Sequence, residues 1–268
     1  MNIHTLSKRI LHKSEAFAEV MSSCTTLLKH NPNAEFVKNY LYQRVPSYNC
    51  GGTTFGFFPS NSQIHLLTEY VGEDILCDLG LLYKRFVNDG GVPQITTFGV
   101  LNDHNLVMPY RNLNGDIIAL VGRSLLPEQK REQENISKYK NTKFHKSMNL
   151  FGLYKAKQAI IEKGFAIVTE GQFDCINCHH FGFNNVVALG GISLTKFQFY
   201  LLMRYTDTIY LLLDNDVPGI KATDTIINRY KKIANIKRFD WKNRTEKDPD
   251  ELVKNGYDLN HIERDILD

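Results

Sequence analysis

Apolar positions change their period twice along this chain. From Leu6 to about Arg44 they fall at helical spacing: Leu6, Ile10, Phe17, Val20, Met21, Leu27 and Leu28, then Phe36, Val37, Tyr40 and Leu41. Such spacing lines one face of a helix. Asn31-Pro32-Asn33 interrupts the run and predicts two helices, with Pro32 at the start of the second. From Cys50 to about Leu126 the pattern turns to short β-rich runs and turns. "NCGGTTFGFFP" reads as a turn-rich entry, and "LVMPYRNLNGDIIALVGRSL" as a hairpin about Asn114-Gly115, a strong local hairpin signal. Residues 127–143 are polar and predict a mobile loop. "NLFGLYKAKQAIIEKG" returns to helix and closes on Gly164 as a residue past the helix end.

From Phe165 onward strands and helices alternate. "FAIVTE", "NVVALGG", "TIYLLLD" and "IKRFD" read as strands. "QFDCINCHHFG", "SLTKFQFYLLMRY" and "VPGIKATDTIINRYKKI" read as the helices between them. Continuous apolar strands alternating with helices predict a mainly parallel sheet covered on both faces. The expected fold class is therefore α/β, with an α+β subdomain over 1–163 leading into an α/β domain over 164–245. Residues 246–268 are expected to form a short helical tail.

Composition narrows the class. The chain has 268 residues, 43% of them hydrophobic, enough for a substantial core. No uninterrupted apolar run reaches membrane-spanning length, and "MNIHTLSKRILHKSEAF" lacks the apolar stretch and cleavage site of a secretory signal. Five cysteines without framework spacing point to a reducing compartment, so a cytoplasmic location away from membranes is expected. The net charge of +3 is unevenly spread: residues 121–163 carry ten Lys/Arg against four Asp/Glu. A basic block between near-neutral flanks suits a phosphate-bearing partner, and equally a solvated lysine-rich surface.

Acids mark the predicted strand ends. In open α/β sheets ligands bind outside the carboxyl ends of the strands. Glu170 ends the first strand in "VTEGQFD", and Asp174 follows one helical turn later. Asp214 ends the third strand in "IYLLLDNDVPG", with Asp216 two residues on. Asp248 and Asp250 lie in "KDPDELV", after the last strand. Carboxylates this close need compensation. Hard divalent cations supply it, taking oxygen ligands and bridging carboxylates to phosphates. Capping is the competing role: Asp216 before Val-Pro-Gly, and Asp248 with Pro249 and Glu251, are good helix N-cap sequences. Cys175-x-x-Cys178 with His179 and His180 also carries metal-ligand residue types. On a helix, however, that spacing makes poor tetrahedral geometry, so apolar packing is expected there. Gly190-Gly191 reads as a tight strand-to-helix turn.

These residues resemble a known family. Glu170-Gly171 with Asp174, then Asp214-Asn215-Asp216 with Gly219, look like the Toprim signature shared by bacterial-type primases, topoisomerases and some nucleases. Upstream, the 106–125 hairpin is similar to the "FPIRD…G…GGR" segment of DnaG-type primases. Lys138-Tyr139-Lys140-Asn141-Thr142 matches that family's K-Y-x-N-S/T, and Phe144-His145-Lys146 its F-H-K. "KDPDELV" matches its end, and "YLYQRVPS" its "YLxxRGLS", with Val45 and Pro46 replacing Gly-Leu. The resemblance covers roughly residues 35 to 255. It implies Glu170, Asp214 and Asp216 as metal ligands, with Asp174, Asp248 and Asp250 as supporting acids around a second metal. Lys138, Asn141 and Lys146 would face nucleotide phosphates and the initiating strand. Arg111 and Arg123, with Arg44, would line the template groove.

The activity so implied is synthesis of short RNA primers on single-stranded DNA from NTPs, with Mg²⁺ or Mn²⁺. The alternatives are a Toprim nuclease and a non-catalytic single-stranded-DNA-binding replication factor. The family usually begins with a zinc-binding ribbon and ends with a helicase-binding helical region. Here helices stand at the start and the chain stops soon after "DPDELV". A separate replicative helicase and a separate zinc-bearing protein are therefore expected as partners. The helical stretch from Leu6 to Leu28 serves either as a docking surface or as a cover for the N-terminal core.

Overall fold

The computed structural model of the protein describes residues 3–45, 48, 55–89, 92–242 and 244–267. Pro46 and residues 49–54 of the turn-rich entry lie outside the described residues, as do the side chains of Leu6 and Ile10. Two compact units result: Met1–Arg111 with Gly115–Phe144, and Asn112–Asn114 with His145–Asp268. The second unit thus takes in the 145–163 segment and the expected tail along with the parallel sheet.

The first unit opens on α1 (Ile3–His30) and α2 (Glu35–Arg44), parted by a single turn at Pro32–Ala34 that Asn31 caps. Phe17, Val20, Met21, Cys24, Leu27 and Leu28 of α1 are buried. This part of α1 packs on β1 (Gly56–Phe57) and so covers the N-terminal core. The approach is close: a Cβ on Gly56 would stand 2.6 Å from the Cys24 Cβ. Two short helices follow, α3 (His65–Val71) and α4 (Glu73–Asp78), where turns and strands were expected. Their buried residues, Leu67, Val71 and Leu76, fall at helical spacing too short to stand out in a turn-rich stretch. β2 (Leu82–Asp89) and β3 (Val92–Gly99) form a two-stranded antiparallel hairpin.

The hairpin about Asn114-Gly115 forms as expected, from β4 (Leu106–Arg111) and β5 (Ile117–Arg123). The expected loop at 127–143 is instead structured. α5 (Glu128–Gln133) carries the helix-spaced ion pair Arg131–Glu128, and β6 (Tyr139–Asn141) pairs antiparallel with β5. Thr142, a buried hydroxyl bonded to the Leu120 N–H, anchors the polar strand. Polar composition hid it because an edge strand needs no apolar face outward. The resulting sheet runs β1-β4-β5-β6.

The second unit starts with α6 (Leu153–Lys163), closed by Gly164 at φ 76°. Then come β7 (Ala166–Thr169), α7 (Gln172–His180), β8 (Val186–Ala188), α8 (Lys196–Leu202), β9 (Thr208–Leu211), α9 (Val217–Tyr230), β10 (Asn235–Phe239), α10 (Pro249–Lys254) and β11 (Ile266–Leu267). The sheet order is β11-β10-β9-β7-β8, parallel throughout except for β11. Side chains of α6, α8 and α9, among them Ile160, Phe199, Leu202, Ile226 and Tyr230, bury against Val168, Ile209 and Leu211. The chain moves outward from β7 to β8 and back past β7 to β9. Right-handed crossovers therefore place α7 and α8 on opposite faces. The order reverses between β7 and β9, the position where such sheets bind ligands.

Candidate metal and phosphate centre

The carboxyl ends of β7 and β9 carry the first acids. Glu170 follows β7 directly and is half-buried. Beyond β9, the Leu212 N–H bonds the Val168 carbonyl at 2.9 Å, carrying the two strands side by side toward Asp214. The 214–216 loop is fastened from both ends. Asn215 donates from its backbone to Lys247 O at 2.7 Å and from its side chain to Glu246 O at 3.0 Å. The Trp241 indole N–H donates to Leu213 O at 3.1 Å. On the other side Gly219 presses against the loop: a Cβ there would lie 2.2 Å from Asp214 O. These bonds draw the 246–250 segment to the strand-end acids.

Asp174 records the resulting charge density. It is buried and accepts the Gly171 N–H at 2.9 Å. Its carboxyl is held well above the usual carboxylate range, first by burial, then by the charges of Asp214 and Asp248. The Gly171 bond opposes that shift, and Asp250 adds to it. Four of the six predicted acids thus share one electrostatic neighbourhood. Both capping readings hold as well: Asp216 accepts the Gly219 N–H at 2.7 Å as N-cap of α9, and Asp248 accepts the Glu251 N–H at 2.8 Å as N-cap of α10. Asp250 is fully buried, bonded by the Asn177 amide and by Lys254 Nζ at 3.0 Å. Among the described residues no three His, Cys, Asp or Glu side chains converge tightly enough to cage an ion by themselves. An all-oxygen donor set with Asp216 exposed and Glu170 and Asp214 half-buried suits a hard divalent cation that keeps part of its water shell.

Lys146 is half-buried and belongs to the same unit. Its Nζ donates to Gly190 O at 2.9 Å, and the Gly190 N–H in turn donates to Glu170 O at 2.9 Å. The Gly190-Gly191 turn therefore ties the lysine to the first acid. The remaining predicted residues lie in the first unit. Lys138 is exposed, Asn141 pairs opposite Val121, and Arg44 ends α2. Arg111 donates to Gly115 O at 2.7 Å and braces its own hairpin. Arg123 lies between the rings of Tyr40 and Tyr139, at 5.2 and 5.0 Å, and bonds the Tyr139 hydroxyl. Sequence reading gave those two tyrosines no part of their own in the site, nor Asn177, Asn215 and Lys254. Interleaving of aromatic and basic residues was the available signal for the tyrosines. Cys175 and Cys178 are buried, with thiols pushed up by burial, and His179 holds Val186 O at 2.8 Å. They pack, as expected.

Among the described residues no helix is long and apolar enough to cross a membrane. A Toprim-like family matches residues 167–253. The DNA primase of Aquifex aeolicus is 31% identical over 232 residues, covering 85% of this chain and 43% of that protein. The DNA primase of Rickettsia bellii is 29% identical over 266 residues, covering 94% of this chain and 41% of that protein. The chain spans less than half the length of these two relatives. Among solved structures, the zinc-binding and RNA polymerase domains of the Aquifex aeolicus primase superpose with a TM-score of 0.71 at 26% identity, over 95% of this chain and 62% of that one. A Pseudomonas aeruginosa DNA primase domain gives 0.70 at 25%, over 91% and 76%. A DnaG catalytic domain bound to single-stranded DNA shares the fold, with a TM-score of 0.68 at 22% identity over 96% and 80%. The Toprim-like match, the primase relatives and the primase structures together support a DnaG-type primase catalytic core bearing a Toprim domain.

Proposed function

We propose that this chain synthesises short RNA primers on single-stranded DNA from NTPs. The observation that carries the reading is the gathering of Asp174, Asp214, Asp248 and Asp250 at the sheet's switch point, with Lys146 tied to the same turn system. Glu170, Asp214 and Asp216 hold divalent metal, Mg²⁺ or Mn²⁺, with Asp174, Asp248 and Asp250 as supporting acids. When bound, the metal neutralises phosphate charge and lowers the pKa of the attacking 3′-hydroxyl. Lys146 orients the reacting phosphates, and Lys138 and Asn141 hold nucleotide phosphates and the initiating strand. Arg44, Arg111 and Arg123 grip the template, chiefly through its phosphates. The relative bound to single-stranded DNA supports that choice of template. A cytoplasmic setting and partnership with a replicative helicase and a zinc-bearing module complete the proposal.

The test is an incubation with NTPs, single-stranded DNA and Mg²⁺ or Mn²⁺, read for short RNA products and for DNA cleavage. RNA products that vanish in Asp214→Asn, with the fold intact by circular dichroism, are expected. Cleavage without synthesis would make the chain a Toprim nuclease. DNA binding with neither would make it a non-catalytic replication factor.

A further inference from the structure

Residues 146–148 form a single 3₁₀ turn, closed by the Met148 N–H on His145 O at 3.0 Å and the Asn149 N–H on Lys146 O at 3.1 Å. Side chains at the start of α8 fasten that turn to the helix. Gln198 is 1% exposed, and its amide N–H groups donate to Lys146 O at 3.3 Å and to Asn149 O at 2.8 Å. Its carbonyl accepts the Thr195 N–H at 3.0 Å. Two donors and one acceptor in use leave a buried amide a single orientation. Thr195 adds a second tie, donating from Oγ1 to Ser147 O at 2.5 Å while accepting the Gln198 N–H at 3.2 Å. Asn149 closes the turn on itself, donating to His145 O at 2.9 Å.

We infer that Gln198 and Thr195 are positioning residues for Lys146. They staple its backbone to α8 and so decide where its ammonium stands. The root of the side chain is held by Gln198 and its tip rests on Gly190 O. A flexible four-carbon stem anchored at its root has few positions left to its charge. A neutral carbonyl is a weaker partner for an ammonium than a phosphate oxygen. An arriving nucleotide phosphate can therefore take the ammonium from Gly190 O without moving the turn. The inference rests on the proposed role of Lys146 toward nucleotide phosphates, and it assigns a task to two residues that touch no phosphate themselves.

The experiment uses the full chain, the single variants Gln198→Glu, Thr195→Val and Lys146→Ala, and two double variants. Gln198→Glu keeps the shape but turns an acceptor oxygen toward two carbonyls. Thr195→Val keeps the shape and removes the hydroxyl donor. Each is combined with Lys146→Ala. Misplacing a reacting group costs up to about a hundredfold in rate, so kcat for primer synthesis is expected to fall by about tenfold in Gln198→Glu and less in Thr195→Val. DNA affinity and circular dichroism are expected to stay unchanged. In the Lys146→Ala background neither substitution is expected to cost more, because a residue acting through Lys146 has nothing left to position. Independent, additive losses would overturn the inference. A second readout is labelling of Lys146 by pyridoxal 5′-phosphate and borohydride, mapped by mass spectrometry. Altered labelling in Gln198→Glu is expected, and unchanged labelling would overturn the staple. Full turnover in Lys146→Ala alone would instead remove the phosphate role of Lys146, and the labelling would still judge the positioning.

Discussion

At Asp174 the crowding of charge in the centre carries a cost. In the unfolded chain its carboxyl titrates near 3.8, and in the folded protein well above that, because it is buried and faces Asp214 and Asp248. Between those two values the folded state keeps a proton that the unfolded chain has lost. As far as this group goes, stability is highest below the unfolded value and falls as pH rises through the folded one. Asp174→Asn removes the charge and keeps an oxygen for the Gly171 N–H. In chelator-treated protein the variant should match wild type near about pH 4 and gain on it progressively toward about pH 8. Denaturant titrations across that range check this, and a gap that does not change with pH would refute it. His179 works with the opposite sign. Burial lowers its pKa from 6.5 against the Val186 carbonyl bond, so its contribution is present above the unfolded value and is lost as pH falls through 6.5 toward the folded one.

At the scale of the element, the two acids of "DPDE" have different tasks on α10. Asp248 caps the helix, and Asp250 ties it to α7 through Asn177 and to its own last turn through Lys254. Asp248→Ala should cost about 1 kcal/mol. Asp248→Ser, which still caps, should cost less. Asp250→Ala leaves a lysine and a buried amide without their acceptor and should cost more, about 3 kcal/mol. Urea unfolding of the three variants orders them. Activity separates charge from capping: if Asp248 supports metal, Asp248→Ser loses turnover at nearly full stability. Equal activity in Asp248→Ser and wild type would leave Asp248 as a cap alone.

Over the whole molecule, the basic block of residues 121–163 is shared between both units, Arg123 to Lys143 in the first and Lys146 to Lys163 in the second. A grip made mainly through phosphates should be salt-dependent. Arg123→Ala is expected to weaken single-stranded DNA binding and to lower its salt slope by about one. It should also cost some stability, because the guanidinium leaves two tyrosine rings, each contact worth about 0.5–1 kcal/mol. Tyr139→Phe keeps the ring and should hold most of the salt slope, whereas Tyr139→Leu should not. Fluorescence anisotropy at several salt concentrations tests the series. An unchanged slope in Arg123→Ala would reduce that arginine to a packing role.

Much of this protein is local, and the sequence by itself determined that part. Helical period, the Pro32 break, the Asn114-Gly115 turn, the apolar strands from Ala166 onward and the acids behind them all follow from residues near in the chain. The capping of α9 and α10 follows equally, because an N-cap bond spans three residues. What only the tertiary structure decided depends on residues far apart. β6 forms because β5 offers an edge, not because its own polar residues favour a strand. Tyr40 and Tyr139 meet on Arg123 across three elements. Asn177 hydrogen-bonds Asp250 and Lys254 pairs with it, Asn215 draws the 246–248 segment to Asp214, and Gln198 reaches back to the Lys146 turn. Spacing along the chain carries no record of such partners, since a buried polar group takes its partner from whatever the fold brings within hydrogen-bond reach.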